Sequence, residues 1–134
     1  MTPIENLHYA IGELAYAFAK VDGKVNQEER QKFQEIVLRG FKQKDYNYDV
    51  SDIIFKILDK DKRDFKSAYD WAMRELKTNS HYLSPELKNC SLRIMKDIAE
   101  AYPPFTEEER NLYRQFEKDI EPLKGDPIYY KAGR

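Results

Sequence analysis

Cysteine is nearly absent from this chain. Cys90 is the only one among 134 residues, which excludes an intramolecular disulfide and leaves no thiolate pair for a zinc site. Set in helix-patterned sequence, it reads as a small buried hydrophobe. Histidine is almost as scarce, with His8 and His81 the only two. His8 lies beside an apolar helical stripe and reads as a packed side chain. Neither histidine has a glutamate at metalloprotease spacing, and no nucleophile-elbow or cysteine-protease signature supports a pairing with Cys90. Five dispersed glycines build no phosphate-cradling loop. The chain therefore reads as a non-enzyme, because the roles of an active site find no candidates to fill them.

An excess of either charge is also missing. There are 23 Lys and Arg against 24 Asp and Glu, for a net charge of −1, whereas a duplex nucleic-acid binder carries a strongly basic balance. No charge-free apolar run approaches the ~18–20 residues of a membrane span. Glu5 and Glu13 stand where a secretory leader needs a basic start and an unbroken apolar stretch. The terminal YKAGR matches no prenyl, retention or peroxisomal signal. The expectation is a soluble, cytoplasmic protein.

What is present is helical. With 41% apolar residues, the chain has enough to bury roughly two-thirds of its unfolded surface in one domain. The six prolines, at 3, 85, 103, 104, 122 and 127, all fall at or beyond the edges of helix-periodic segments. Thr2-Pro3-Ile4-Glu5 supplies a capping hydroxyl, a proline at the first helical position and the glutamate of a capping box. Ile4, Leu7, Ile11, Leu14 and Phe18 follow at helical spacing, and Asp22-Gly23 closes the segment. A second helix starts at Asn26, with Glu29 at the capping-box position, and carries Phe33, Ile36, Val37 and Phe41. Val50 to Leu58 mark a third, Phe65 to Leu76 a fourth, and Ser84-Pro85 opens a fifth that Pro103-Pro104 stops. Thr106, with Glu109 completing its box, caps a last helix through Ile120. No segment alternates like a half-buried strand. The pattern predicts an all-α domain of about six helices over residues 1–121. A non-helical tail, 122–134, is expected to dock on the body through Ile128, Tyr129 and Tyr130.

Residues 14–37 and 94–117 superpose at an offset of 80. Each copy is a helix, a turn, one apolar residue (Val25 or Phe105), a cap, two acids and a second amphipathic helix. The reading is a pair of related αα-hairpins, 4–41 and 85–121, in a pseudo-twofold arrangement. Capping boxes and first-turn acids are common to many helices, but here loop length and core periodicity agree as well.

The first copy, AKVDGKVNQEE, resembles the signature of the TerB-like (tellurite-resistance) helical domain, an Ala-Asp-Gly turn followed by an apolar residue and a glutamate. Val21 stands where that family usually has alanine, and Tyr102-Pro103 replaces Asp-Gly in the second copy. The resemblance implies an all-helical domain with an acidic face, suspected of binding metal and linked to stress responses or membrane-associated complexes. A related domain occurs in a membrane-anchored co-chaperone.

Asp22, Glu28 and Glu29 are the candidate metal ligands, for a divalent cation held weakly. Hard cations such as Ca²⁺ take about six to eight oxygens, and the helix N-terminus beside these acids disfavours a cation. The competing reading gives each a local role: Asp22 in the turn, Glu29 in the capping box, Glu28 in solvent. Asp59, Asp61 and Asp64 alternate with Lys60, Lys62, Arg63 and Lys66, the pattern of a solvated helix boundary. The expected function is a non-catalytic helical interaction or scaffold module with a protein partner. Ten tyrosines favour that reading, since tyrosine is apolar with a polar tip. The alternative is an RNA- or membrane-surface-binding protein using the bases from Arg30 to Lys66 with Tyr46 and Tyr48. Interleaved aspartates weigh against phosphate contact there.

Overall fold

A computed structural model describes residues 2–21, 31, 35, 48–100 and 106–132. Among these residues the chain is all-helical, with no strand. We label the helices α1 (Pro3–Lys20), α2 (Tyr48–Lys60), α3 (Phe65–Thr78), α4 (Pro85–Glu100), α5 (Glu107–Ile120) and α6 (Pro127–Ala132), with a 3-10 turn at Ser80–Tyr82. No helix among the described residues is long and apolar enough to cross a membrane. Apart from residues 31 and 35, the expected second helix from Asn26, and with it the first hairpin's pairing, lies outside the described residues.

Helix α1 is the axis of the fold. Its start follows the sequence: the Thr2 hydroxyl accepts from Glu5 N–H at 3.1 Å and the Glu5 carboxylate accepts from Thr2 N–H at 3.0 Å, a complete capping box. From Ala10 to Ala19 every residue is buried, as expected for a helix apolar on all sides. It packs against α3, α2 and α4, which surround it. Each of Leu7, Ile11, Leu14 and Phe18, fully buried or nearly so, stabilises this arrangement by roughly 1.5–3 kcal/mol.

The outer helices face α1 with one stripe each. On α2, Ile54 and Leu58 point inward while Ile53 and Ile57 stay exposed. On α3, Ala68, Tyr69, Ala72, Met73 and Leu76 are buried. Helix α4 opens on Ser84, whose hydroxyl accepts from Leu87 N–H at 3.1 Å, and packs on α5. Thr106 and Glu109 form the second capping box. Phe116 and Tyr113 of α5 meet Phe18 edge-to-face, with ring centroids 6.2 and 6.3 Å away, so α5 closes over the end of α1. Tyr69 donates a 2.7 Å hydrogen bond to the Asp119 carboxylate, tying α3 to α5.

The tail departs from expectation. It carries the short helix α6 rather than no helix, because Asp126 accepts from Ile128 N–H at 3.0 Å and Pro127 pre-sets the first helical turn. It docks on the 3-10 turn, where Asp126 N–H donates to the His81 carbonyl at 2.9 Å and Tyr129 packs edge-on to His81 at 4.9 Å. Ile128, expected to dock, is 74% exposed, since the helical turn that places Tyr129 on the body points its neighbour away.

Candidate functional site

The metal candidates Asp22, Glu28 and Glu29 lie outside the described residues. Among the described residues no group of three His, Cys, Asp or Glu side chains is placed to hold a metal ion. Cys90 is buried, as its setting predicts, with the Arg93 guanidinium 3.7 Å from its sulfur. His8 is buried in α1, and burial pushes its pKa down to about 4, so it is a neutral core side chain near pH 7. His81 packs at a tilt against Tyr82, with ring centroids 4.6 Å apart, and serves the tail contact.

The built feature of the surface begins at the turn between α2 and α3. Arg63 N–H donates to the Leu58 carbonyl at 3.1 Å and Lys62 N–H to the Asp59 carbonyl at 3.2 Å, the crossed pair of a Schellman motif. Lys62 takes the left-handed position, at φ 54°, where glycine is usual. Immediately beyond, Asp64 caps α3, its carboxylate accepting from Ser67 N–H at 3.0 Å. The Arg63 carbonyl accepts the Tyr16 hydroxyl from α1. Arg63 is thus held by the end of one helix, the start of the next and a pin from the central helix.

That anchoring sets the Arg63 guanidinium over the Trp71 ring, 5.1 Å from its centroid. Trp71 is 43% exposed. Lys66, Asp70 and Arg74 succeed each other at four-residue spacing on the same side of α3, so they share one face. Together with Ser67 they line an open depression of about 490 Å³. Three bases stand there against Asp64 and Asp70, and Asp64 is committed to its cap. The alternating charges of this segment read as a solvated boundary in sequence; Trp71 in their midst is what the charge pattern left out.

Helix α1 also buries Glu13. It is 1% exposed, and its Oε1 has no hydrogen-bond partner. Burial is the main cause that lifts its pKa to about 8; Glu75 of α3 adds to the rise and Arg63 opposes it. Near pH 7 the side chain is therefore a neutral carboxylic acid in the core. The sequence carries the signal in plain form, since Glu13 is the only charged residue between Tyr9 and Ala19 on a helix apolar all round. Compared with known proteins, the chain matches no family model, no curated protein and no solved structure.

Proposed function

We propose that the protein is a non-catalytic helical interaction module that docks an acidic segment of another protein on the face running from Arg63 to Arg74. The observation that carries this reading is the exposed Trp71 under the Arg63 guanidinium, with Lys66 and Arg74 on the same face. Aromatic and arginine side chains concentrate binding energy at interfaces, and arginine recognises carboxylates through a planar fork of donors. The resemblance of AKVDGKVNQEE to the TerB-like signature agrees with a scaffold or stress-response role. On that reading a divalent cation at Asp22, Glu28 and Glu29 would tune the module. Calorimetric titration with Ca²⁺, Mg²⁺, Zn²⁺ and Mn²⁺ tests the cation clause, and absence of heat removes it.

The second reading, RNA or an anionic membrane surface, is favoured by bases flanking an exposed aromatic ring. Asp70 in the middle of the face weighs against it, because a phosphate backbone is continuously negative. A peptide can space its carboxylates to either side and set an apolar or donor group opposite Asp70. Selection of a random peptide display library on the purified protein separates the readings. Enrichment of carboxylates around an aromatic or aliphatic anchor, lost on Trp71→Ala and Arg74→Glu, is the expected result. Enrichment without acidic character, or binding of oligouridylate or phosphatidylserine vesicles alone, overturns it.

A further inference from the structure

Helix α2 carries a surface line that the docking face does not use. Ile54 and Leu58 face the core, while Ile53 and Ile57 are 52% and 44% exposed. The exposed two stand four residues apart, so they lie one above the other on one face of the helix. Exposed apolar side chains scattered singly are ordinary. What distinguishes this pair is the order of charge along its face. One turn before Ile53 the sequence has Asp49, and one turn after Ile57 it has the exposed Lys60. Asp52 and Lys56 repeat that order beside the line. The face therefore runs acid, aliphatic, aliphatic, base, and read in reverse it is its own complement.

We infer that this face pairs with the same face of a second copy of the chain, the two α2 helices lying antiparallel about a twofold axis. Reversal sets Ile53 of one copy against Ile57 of the other and, by the same symmetry, Ile57 against Ile53. It also brings the Asp49 end of each helix beside the Lys60 end of the other. A parallel pair would set acid on acid and base on base, which is repulsive. Neither a wholly acidic nor a wholly basic segment answers both ends of the line. With a net charge of −1, two copies meet without strong mutual repulsion. One helix face is small against the roughly 1,200–2,000 Å² of stable complexes, so the dimer is weak and forms as concentration rises. The pair sets its two α2–α3 turns at opposite ends. On the docking reading above, one dimer thus holds two acidic segments, whereas the pairing itself does not depend on that reading.

Sedimentation equilibrium of the full chain, from about 10 µM to about 1 mM, spans the range in which small interfaces associate. The expected result is a monomer–dimer equilibrium that reaches its midpoint within that range. Ile57→Gln is expected to weaken it by about tenfold. Asp49→Lys and Lys60→Glu, each alone, turn both end contacts repulsive and are expected to cost about tenfold as well. The double variant, and an equimolar mixture of the two single variants, are expected to regain the native association. Circular dichroism confirms that each variant keeps its helices. On the unaltered chain, dilution is expected to shift the amide NMR resonances of Ile53, Ile57 and Lys60 and to leave those of Trp71 and Arg74 in place, a readout that needs no variant to fold. A chain that stays monomeric to about 1 mM overturns the inference, whatever else covers the two isoleucines. So does a dimer indifferent to Ile57→Gln, one that the double charge reversal fails to restore, or dilution shifts centred on Trp71. Failure of the peptide selection with the dimer intact removes the docking proposal and leaves the pairing standing.

Discussion

Replacing Glu13 with glutamine should reshape the dependence of stability on pH. In the unfolded chain the carboxyl keeps its ordinary pKa of 4.5, while burial raises it to about 8 in the native protein. Between those values the native state holds a proton that the unfolded chain has released, so stability falls as pH rises. The stabilisation of the neutral form is complete below 4.5 and is lost as pH climbs through about 8. His8 works in the opposite sense, because burial lowers its pKa from 6.5 to about 4. Between those values the unfolded chain holds the extra proton, so stability rises with pH. From 4.5 to 6.5 the two slopes cancel, and from 6.5 to about 8 the Glu13 slope stands alone. At about 1.4 kcal/mol per pH unit that stretch carries roughly 2 kcal/mol. Urea unfolding followed by circular dichroism, from pH 5.5 to 9, should show this decline in the native protein. Glu13→Gln should instead rise to pH 6.5 and then run level. Parallel profiles for the two proteins would refute the reasoning, since both slopes would then come from other groups.

Three further substitutions test the architecture. Phe116→Ala empties the contact with Phe18 at the fully buried junction of α1 and α5 and should cost about 3–5 kcal/mol in chemical denaturation. Lys62→Gly relieves the left-handed backbone at φ 54°. A penalty of about 1–2 kcal/mol for a side chain there, less roughly 0.5–1 kcal/mol for the looser unfolded chain, predicts a gain of about 0.5–1 kcal/mol in the same assay. Gly125→Ala places a Cβ into the Leu83 carbonyl oxygen. It should free the tail to trypsin at Lys124 and Lys131, read by mass spectrometry, while the body's melting temperature hardly changes.

Local signals were legible in the sequence and relational ones were not. The boxes at Thr2–Glu5 and Thr106–Glu109 could be read because hydroxyl and glutamate sit three residues apart and need no tertiary partner. The burial of His8 and Cys90 followed from the stripes beside them. Asp64 hid among alternating charges, and its cap emerges only once α3 begins at Phe65. Six residues are too few for helical periodicity to show in α6, although Asp126-Pro127 is a start signal. The surface around Trp71 was illegible because Arg63, Lys66, Asp70 and Arg74 form an ordinary solvated pattern. Its distinction comes from a tertiary pin, Tyr16 on the Arg63 carbonyl. The candidate ligands Asp22, Glu28 and Glu29 lie outside the described residues.

The tail is fastened chiefly through main-chain atoms. Lys88 Nζ donates to the Glu121 and Leu123 carbonyls at 2.9 Å each, Asp126 N–H reaches the His81 carbonyl, and Gly125 lies close against Leu83. Such attachments do not depend on which side chains the tail carries, apart from Leu123 packed on the core, the Asp126 carboxylate that starts α6, the missing side chain at Gly125 and the ring of Tyr129. Mutational drift at Lys124, Ile128 and Lys131 should therefore leave the register intact, and a spectroscopic label or affinity handle placed at Ile128 would ride on the body without disturbing it.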